Sequence, residues 1–596
     1  ECLGFGTPLY SNYTYPFPSD PPRISTPAPA DWTTAREPNP TARLRRRLIL
    51  PENWAGRLVR LAFGGAQTAL MVWCNGALVG YSEDSMGVAE FDLTDKLQPG
   101  ENTIALEICK YSSASYLEDQ DFWRLSGIFR DVFLYAVDPK HLVDAAIHAD
   151  ALTGTISAEV ELSPAAQDCT VELHCRGRVA TLPHAIILDA FQLWNAETPF
   201  LYTVSLVLRD SDGIRDIRHF RTGFRTEAIR DGVFYLNDVP IKLRGVNRHE
   251  HDPQRGRAIT RESLFVDIRL IKQANFNAVR SSHYPNHPLW YELCDRTGLY
   301  VCDEANLESH GLSYHKCVLP GDDPVWIPAA VDRVERLVRM NRNHVCIALW
   351  SLGNEAGYGT AFEAARDKIR QYDPRPIQYA DMNIVAEFDS QTYPPAAWLE
   401  DYIAGTAVRK GEQGQSSNER QHGSQPTNKP FLMNEYAHAM GNSTGGFAEY
   451  WEIIEKHPRL TGGFLWEWCE HALLKAGHYA YGGDFGDKPN DGNFCCDGLV
   501  RADRTPNPGY HEVKFVQQPF AATLDRKYQT LSFQNRFSFR TLEGYVVNWS
   551  LLANGHEVSA GSWDAPLAPG KWAVKPYPAA VPLSAECFWR LNLVRS

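Results

Sequence analysis

The sequence lacks a continuous apolar stretch of about 18 residues, the length that a membrane-spanning helix needs, so it predicts no membrane span. It also lacks an excess of positive charge, since its formal net charge is −13 at pH 7. That balance argues against nucleic acid as the main partner, because the phosphate backbone repels an acidic surface. The chain starts at Glu1 with neither an initiator methionine nor a signal-peptide pattern. We therefore expect a fragment of a longer, cytoplasmic protein.

Cysteine is present but does not form the pattern of a disulfide framework. The 13 cysteines are scattered and odd in number, and some, such as Cys302 and Cys346, lie in predicted core strands. Disulfide-rich domains belong to secreted proteins, whereas cytosolic proteins keep their thiols reduced. We interpret these cysteines as reduced, buried thiols, in agreement with a cytoplasmic location.

Length and composition predict several domains. The chain has 596 residues, of which 44% are hydrophobic, so it can bury several large cores. Residues 1–139 begin as a Pro-rich arm and continue as short strands, which predicts a jelly-roll β-sandwich. Residues 140–224 and 520–596 each predict an immunoglobulin-like β-sandwich.

From residue 225 to 519 strand and helix patterns alternate, which is typical of a (β/α)8 TIM barrel. Thr260 can cap the first helix and Gly298 can end the second, and a later helix is predicted over about 324–340. The polar stretch 411–429 predicts a surface loop. The eight strand candidates are 241–247, 278–280, 299–303, 346–352, 377–379, 388–393, 431–435 and 463–466.

Two of these strand candidates end in a glutamate. The apolar run 347–352 leads into Asn354 and Glu355, and a second run ends in Glu435. Barrel enzymes carry their chemistry at the carboxyl ends of the strands, so the pair predicts a glycosidase. Retaining hydrolysis needs two carboxyl groups roughly 5 Å apart, one as nucleophile and one as acid and then base. Asn354 could hydrogen-bond a sugar 2-hydroxyl.

Further polar side chains follow the same predicted strands, in a density that does not suit a packed core. Any one histidine is more often a structural group, but the whole set indicates a site. Glu308 and His310 lie two positions apart on one side of an extended segment and could hold a divalent cation. Magnesium prefers oxygen ligands and zinc prefers more His or Cys. The set includes His249, Arg280, His283, Glu304, Glu308, His310, Glu355, Tyr393, Glu435, His438 and Trp466.

Several motifs closely resemble those of the large β-galactosidases of glycoside hydrolase family 2. The resemblance covers about residues 8–519, and residues 520–596 match by architecture only. The motifs are YLEDQD at 116–121, LRGVNRHEHDP at 243–253, FNAVRSSHYPNHPLW at 276–290, WSLGNE at 350–355, NEYAHAMGN at 434–442 and YGGDFGD at 481–487.

This resemblance implies a retaining exo-β-D-galactosidase that acts on lactose-like substrates and can transfer galactose to other sugars. It implies that Glu355 is the acid/base and that Glu435 is the nucleophile of a covalent galactosyl-enzyme. The substrate-binding residues that it implies are Asn12, Asp121, His249, Arg280, His283, Asn354, Tyr393, His438 and Trp466.

Two cation sites are implied in the same way. The Mg²⁺ ligands would be Glu308, His310 and Glu355, with Asn490 close by through water. The Na⁺ ligands would be Asp121 and the backbone of Phe494, with Asp497 where the family usually has asparagine. The added charge of Asp497 should tighten cation binding or change its selectivity.

Members of the family continue for several hundred residues beyond this sequence, and a later domain supplies a tryptophan to the leaving-group side. We expect the full-length protein to be a homo-oligomer. The nearest alternative is a β-glucuronidase or β-mannosidase of the same family, which as a rule lacks the Glu-x-His cation site. An alternative of another class is a carbohydrate-binding protein that binds a sugar and never cleaves it.

Overall fold

The computed structural model describes residues 4–313, 318–408, 427–582 and 585–595. The predicted surface loop at 411–429 lies mostly outside these residues. Four β-rich or mixed regions follow one another, and the third is a parallel barrel. Among the described residues, no helix has the length and apolar character that crossing a bilayer requires.

The first region is a sandwich of a four-stranded and a three-stranded antiparallel sheet. Asn75 and Gly76, both with positive φ, form the hairpin turn that the sequence predicts. The N-terminal arm pairs Leu9–Ser11 with Phe122–Arg124, which ties it to the loop ahead of the last strand. The sandwich strands are Thr41–Ile49, Leu58–Phe63, Ala69–Cys74, Ala77–Ser82, Ala89–Asp92, Glu101–Cys109 and Val132–Val137.

Two further sandwiches flank the barrel. Each packs two antiparallel sheets over its own apolar core. The strands of the second region are Leu142–Asp150, Thr155–Leu162, Thr170–Cys175, Arg178–Thr181, Ile186–Ile187, Tyr202–Asp210 and Gly213–Thr222. Those of the last are Phe520–Asp525, Thr530–Asn535, Tyr545–Ala553, His556–Asp564, Trp572–Pro576 and Cys587–Arg595. A small sheet of Glu227–Arg230, Val233–Leu236 and Val239–Pro240 precedes the barrel.

The barrel is one sheet of eight parallel strands, and all eight strand candidates are confirmed. In chain order they are β1 (Leu243–Asn247), β2 (Ala278–Arg280), β3 (Tyr300–Glu304), β4 (Ile347–Ser351), β5 (Ile377–Gln378), β6 (Asp389–Ser390), β7 (Phe431–Tyr436) and β8 (Leu460–Leu465). β1 pairs with both β2 and β8, so the first and last strands of the barrel are neighbours in the sheet. The strands are buried on both faces, as their continuous apolar runs predict.

Helices cover the outside of the barrel. Thr260 caps the first helix by accepting from the Ser263 N–H, and Gly298 ends the second at φ 77°, both as predicted. The helix predicted from about 324 begins three residues later, at Ile327, because Trp326 is still in a turn that bonds to Asp323. The helices are Arg261–Gln273, Pro288–Thr297, His310–Ser313, Ile327–Asn341, Thr360–Arg370, Ala396–Ala404, Phe447–Lys456 and Pro508–Val516.

Candidate active site

The predicted pair of glutamates lies at the carboxyl ends of β4 and β7. Glu355 comes four residues after β4, beyond a sharp turn at Gly353. A side chain at Gly353 would place its Cβ 2.5 Å from the carbonyl oxygen of Leu307, and its φ of 150° also favours glycine. Glu435 belongs to β7 itself. Both side chains are buried to more than nine-tenths, yet both face one pocket.

This pocket gathers side chains from the barrel, the N-terminal arm and the loop of the first sandwich. Nearly all of its lining is polar or aromatic, which suits a sugar better than an apolar ligand. Trp466 forms one wall and stacks on His283, with ring centroids 5.1 Å apart and an angle of 13°. The lining residues are Asn12, Asp121, His283, Glu308, His310, Asn354, Glu355, Tyr393, Glu435, His438, Trp466 and Phe494.

Arg280, at the end of β2, holds the base of the site together. Its guanidinium donates to Glu304 at 2.9 Å, to the Asn354 side-chain oxygen at 2.9 Å and to Glu435 at 3.1 Å. The arginine is fully buried, and these partners use its planar fork in a way that a lysine could not. Glu304 also accepts from His283 at 2.8 Å. One buried cation therefore fixes the positions of both the predicted nucleophile and Asn354.

The two glutamates have unlike pKa values. Burial, followed by the charge of Glu355, raises the pKa of Glu435 to about 8. Burial also acts to raise the pKa of Glu355, but the nearby cations, led by His310, bring it below its usual value. His310 Nδ1 lies 2.7 Å from Glu355 Oε2. Each carboxylate disfavours ionisation of the other, so their mutual repulsion and the unequal nearby cations separate the two pKa values, with that of Glu435 the higher.

Three of the predicted magnesium ligands converge. One ligand atom each from Glu308, His310 and Glu355 lies within 4.8 Å of the others. Glu308 Oε2 is buried and forms no hydrogen bond, so it is available to a cation. Burial and then Glu355 raise the pKa of Glu308 well above its usual value, which reflects unbalanced negative charge. This donor set fits a divalent cation. The fourth predicted member, Asn490, is exposed and is not among the pocket residues; its side chain bonds to Asp487 and Gly492.

The predicted sodium site is divided between the pocket and the wall behind it. Asp121 and Phe494 line the pocket, whereas Asp497 lies behind it and accepts from the Trp466 indole N–H at 2.8 Å. Burial raises the pKa of Asp121 to about 7, and burial and then Asp121 raise that of Asp497 well above its usual value. Asp497 Oδ1 is buried without a hydrogen bond. A buried carboxyl group with a spare oxygen, next to a second carboxyl group that lines the pocket, fits a cation.

The remaining predicted substrate residues fall into two layers. Asn12 is brought to the pocket by its backbone N–H, which donates to Asp491 at 2.7 Å. Tyr393 is beside Glu435, since its backbone N–H donates to the Glu435 carbonyl at 2.9 Å. His438, at the next loop, completes the rim, and burial lowers its pKa to about 4. His249 and Arg280 are fully buried behind the lining, so the structure places them as supports of the wall.

Sequence reasoning counted Glu304 among the polar residues at the strand ends but assigned no specific function to it, to Tyr10 or to Glu467. Glu304 pairs with Arg280 and His283, and its position at the end of β3 was the available signal. Tyr10 donates to Asp121 at 2.6 Å from the arm, and Glu467 accepts from His249 at 2.9 Å. These contacts join segments far apart in the chain, so spacing could not reveal them.

Family models match almost the entire chain. The glycosyl hydrolases family 2 sugar binding domain matches residues 1–138, the glycosyl hydrolases family 2 model matches 140–225, and the family 2 TIM barrel domain matches 227–522. The chain belongs to glycosyl hydrolase family 2. Beta-galactosidase domain 4 matches residues 531–596. The barrel that carries Glu355 and Glu435 thus corresponds to the TIM barrel domain of this family.

Relatives of this family 2 chain are named β-galactosidases. It is 40% identical over 600 residues to the β-galactosidase of Photobacterium profundum, covering 94% of this chain and 56% of the relative. It is 38% identical over 608 residues to that of Pectobacterium atrosepticum, covering 96% of this chain and 57% of the relative. The chain thus spans little more than half the length of these relatives.

Solved structures of family 2 share the fold. A β-glucuronidase from Ruminococcus gnavus has a TM-score of 0.65 at 18% identity, covering 80% of this chain and 87% of that one. A β-galacturonidase from Eisenbergiella tayi has a TM-score of 0.65 at 22% identity, covering 80% and 89%. At this identity the likeness concerns architecture and not the sugar.

Proposed function

We propose that this chain carries the active site of a retaining exo-β-D-galactosidase. The observation that carries the proposal is the pair Glu355 and Glu435, which face one polar pocket from the ends of two barrel strands and differ in pKa. Glycoside hydrolysis with retention needs such a pair with separated roles. The relatives named β-galactosidase support galactose as the sugar.

In the proposed mechanism Glu435 attacks the anomeric carbon while Glu355 protonates the departing oxygen. Arg280 donates to Glu435 and favours its ionised form. For this step Glu355 must carry the proton and Glu435 must be ionised when the leaving group departs. Glu355 then takes a proton from water or an acceptor sugar, which attacks the galactosyl-enzyme. Transfer to a sugar hydroxyl in place of water gives transgalactosylation.

Glu308, His310 and Glu355 would hold Mg²⁺, whose charge would neutralise the surplus of carboxylates at the acid/base side. His310 Nδ1 faces Glu355 in this structure. If that nitrogen coordinated the ion, it could not also donate a hydrogen bond to Glu355. The protein's part is to keep Glu308 Oε2 free for the ion. Asp121, Phe494 and Asp497 would similarly hold Na⁺.

The choice of galactose over a uronic acid follows from charge. Asp121 in the pocket is partly exposed and Asp497 behind it is buried, and no described lysine or arginine forms an ion pair with either carboxyl group. A sugar carboxylate would therefore find no basic partner here, whereas a neutral 6-hydroxyl could donate to Asp121 or bind the cation. The alternative of a β-glucuronidase is therefore supported only by the similarity of the fold.

The test is hydrolysis of nitrophenyl β-D-galactoside beside the matching glucuronide and mannoside. We expect the galactoside alone to be cleaved, and Glu435→Gln to abolish cleavage. Glu470→Gln is the matched control, because Glu470 lies on the same side of the barrel but binds Asn507 outside the pocket. Cleavage of the glucuronide in place of the galactoside would refute the substrate, and normal turnover by Glu435→Gln would refute the mechanism.

A further inference from the structure

A second group of metal-ligating side chains lies behind the pocket wall, separate from Glu308 and His310. His249 follows β1, and Glu467 and His471 follow β8, the neighbouring strand. His249 Nδ1 is 2.9 Å from Glu467 Oε2, and His471 Nε2 is 3.2 Å from the same oxygen. One ligand atom of each residue lies within 4.8 Å of the others. None of the three is more than 1% exposed.

Hydrogen bonding alone does not account for this cluster. Glu467 accepts from His249, but neither ring nitrogen of His471 forms a hydrogen bond, although Nε2 faces the carboxylate at 3.2 Å. Burying a polar atom without a hydrogen-bond partner is unfavourable, and His471 would carry two such atoms. An ion bound between the side chains would give Nε2 of His471 a partner, so only Nδ1 would remain buried without one.

The charges of the cluster are unbalanced in the direction that a cation corrects. Glu467 lies beside Asp497, because its backbone N–H donates to the Asp497 carbonyl at 3.3 Å. Among the described residues, no lysine or arginine forms an ion pair with either carboxyl group. The buried guanidinium of Arg257 lies over the ring of Phe122, at 4.2 Å from its centroid. Buried carboxylates usually pair with a cation or coordinate a metal.

The donor set identifies the class of ion. Two imidazoles and one carboxylate form a set that Zn²⁺ uses, whereas Mg²⁺ prefers oxygen ligands. With zinc–ligand bonds of roughly 2.0–2.1 Å, a tetrahedral site separates its ligand atoms by about 3.3 Å. The two measured separations, 2.9 and 3.2 Å, are close to this value. We propose that His249, Glu467 and His471 bind a Zn²⁺ ion inside the pocket wall.

Such an ion would position the wall without touching the sugar. If Nδ1 of His249 coordinated the ion, the ring hydrogen would have to lie on Nε2, so the tautomer of this histidine would be fixed. The His249 ring meets the edges of Trp466 and His283, each with a centroid separation of 5.4 Å. Both of these rings line the pocket. The ion would therefore hold the stacked Trp466–His283 wall in place.

The experiment measures zinc in the purified protein after growth with zinc and dialysis against metal-free buffer. We expect about one zinc per chain, and its loss in His471→Gln. His251→Gln is the matched control, because His251 is equally buried, 5.4 Å from His471 by ring centroids, and outside the cluster. Wild-type protein without zinc, or equal zinc in His471→Gln and wild type, would overturn the proposal.

A second measurement covers the case in which His471→Gln does not fold. Wild-type protein refolded with Co²⁺ in place of zinc should show the intense visible d–d absorption of four-coordinate cobalt, and added Zn²⁺ should remove it. Absence of this absorption from correctly refolded protein would overturn the proposal independently of any variant.

Discussion

Arg280 donates to Glu435 across 3.1 Å, so the proposed nucleophile is fixed by a buried cation from a different strand of the barrel. The same guanidinium reaches Glu304 and Asn354. It thereby links the side of the pocket that forms the covalent bond with the residue next to the acid/base. The geometry of the site depends on this one side chain more than on any other.

Replacing Arg280 by lysine keeps the positive charge but removes the planar guanidinium, whose N–H groups bond to three partners at once. We expect Arg280→Lys to fold with reduced stability and to lose about 100-fold or more in kcat, since a displacement of the order of 1 Å costs about that factor. Turnover and thermal unfolding measured side by side check this. Wild-type kcat in a folded Arg280→Lys protein would contradict a positioning role.

The acid/base assignment predicts a shift in pH dependence. Burial is the first cause of the raised pKa of Glu435 and the charge of Glu355 is the second. Glu355→Gln removes the second cause, so the pKa of Glu435 should fall below about 8. Attack requires ionised Glu435, so the rising limb of kcat/KM should move to lower pH.

This shift is measured with a dinitrophenyl β-galactoside, whose leaving group needs no acid. Added azide should also restore turnover in Glu355→Gln, because azide attacks the galactosyl-enzyme without a general base. Asp303→Asn is a control, since Asp303 is buried on β3 but binds Tyr291 and Asn341 away from the pair. A limb that stays in place or moves to higher pH in Glu355→Gln would count against the assignment.

The magnesium proposal predicts a loss of affinity in Glu308→Gln. This change removes one charged oxygen ligand and leaves the volume nearly unchanged. We expect EDTA to inactivate the wild type and Mg²⁺ to restore it, and the variant to need at least about tenfold more Mg²⁺, equivalent to about 1.4 kcal/mol. Calorimetric titration with Mg²⁺ reads binding directly. Equal Mg²⁺ affinity in the two proteins would rule out Glu308 as a ligand.

The carboxyl group of Asp497 should make cation binding tighter than an amide would. Asp497→Asn keeps the acceptor for the Trp466 indole but removes the charge. We expect the Na⁺ concentration for half-maximal activity to rise by about tenfold, which corresponds to about 1.4 kcal/mol. Kinetics in Na⁺, K⁺ and choline buffers measure it. A lower Na⁺ requirement in the variant would show that Asp497 repels the site instead of serving it.

The fold could be predicted from local sequence patterns, whereas the contacts among the buried residues behind the pocket wall could not. Apolar runs such as β4 and β7 are buried on both faces, so their composition alone indicates a parallel barrel. Thr260 and Gly298 act locally and were predictable for the same reason. Glu467 differs, because its partners His249 and Asp497 come from distant segments. Only the folded chain shows which carboxyl groups meet.

The contacts of Asn490 and the pKa order of the glutamate pair illustrate the same limit. Asn490 was expected near the magnesium ligands through water; its side chain contacts Asp487 and Gly492, and its part at the cation site stays a prediction. The order of the two pKa values depends on His310 facing Glu355, a contact between adjacent loops. Motifs identify which residues belong to a site, whereas burial and contact decide their protonation.

The most direct test traps the covalent intermediate. A 2-deoxy-2-fluoro-β-D-galactoside with a dinitrophenol leaving group slows both steps, but the good leaving group lets the first step proceed, so the sugar accumulates on the nucleophile. Mass spectrometry of the digested protein then locates it. The account predicts one fluorogalactosyl group on Glu435 and none in Glu435→Gln. A label on Glu355, or no label in protein that hydrolyses galactosides, would contradict it.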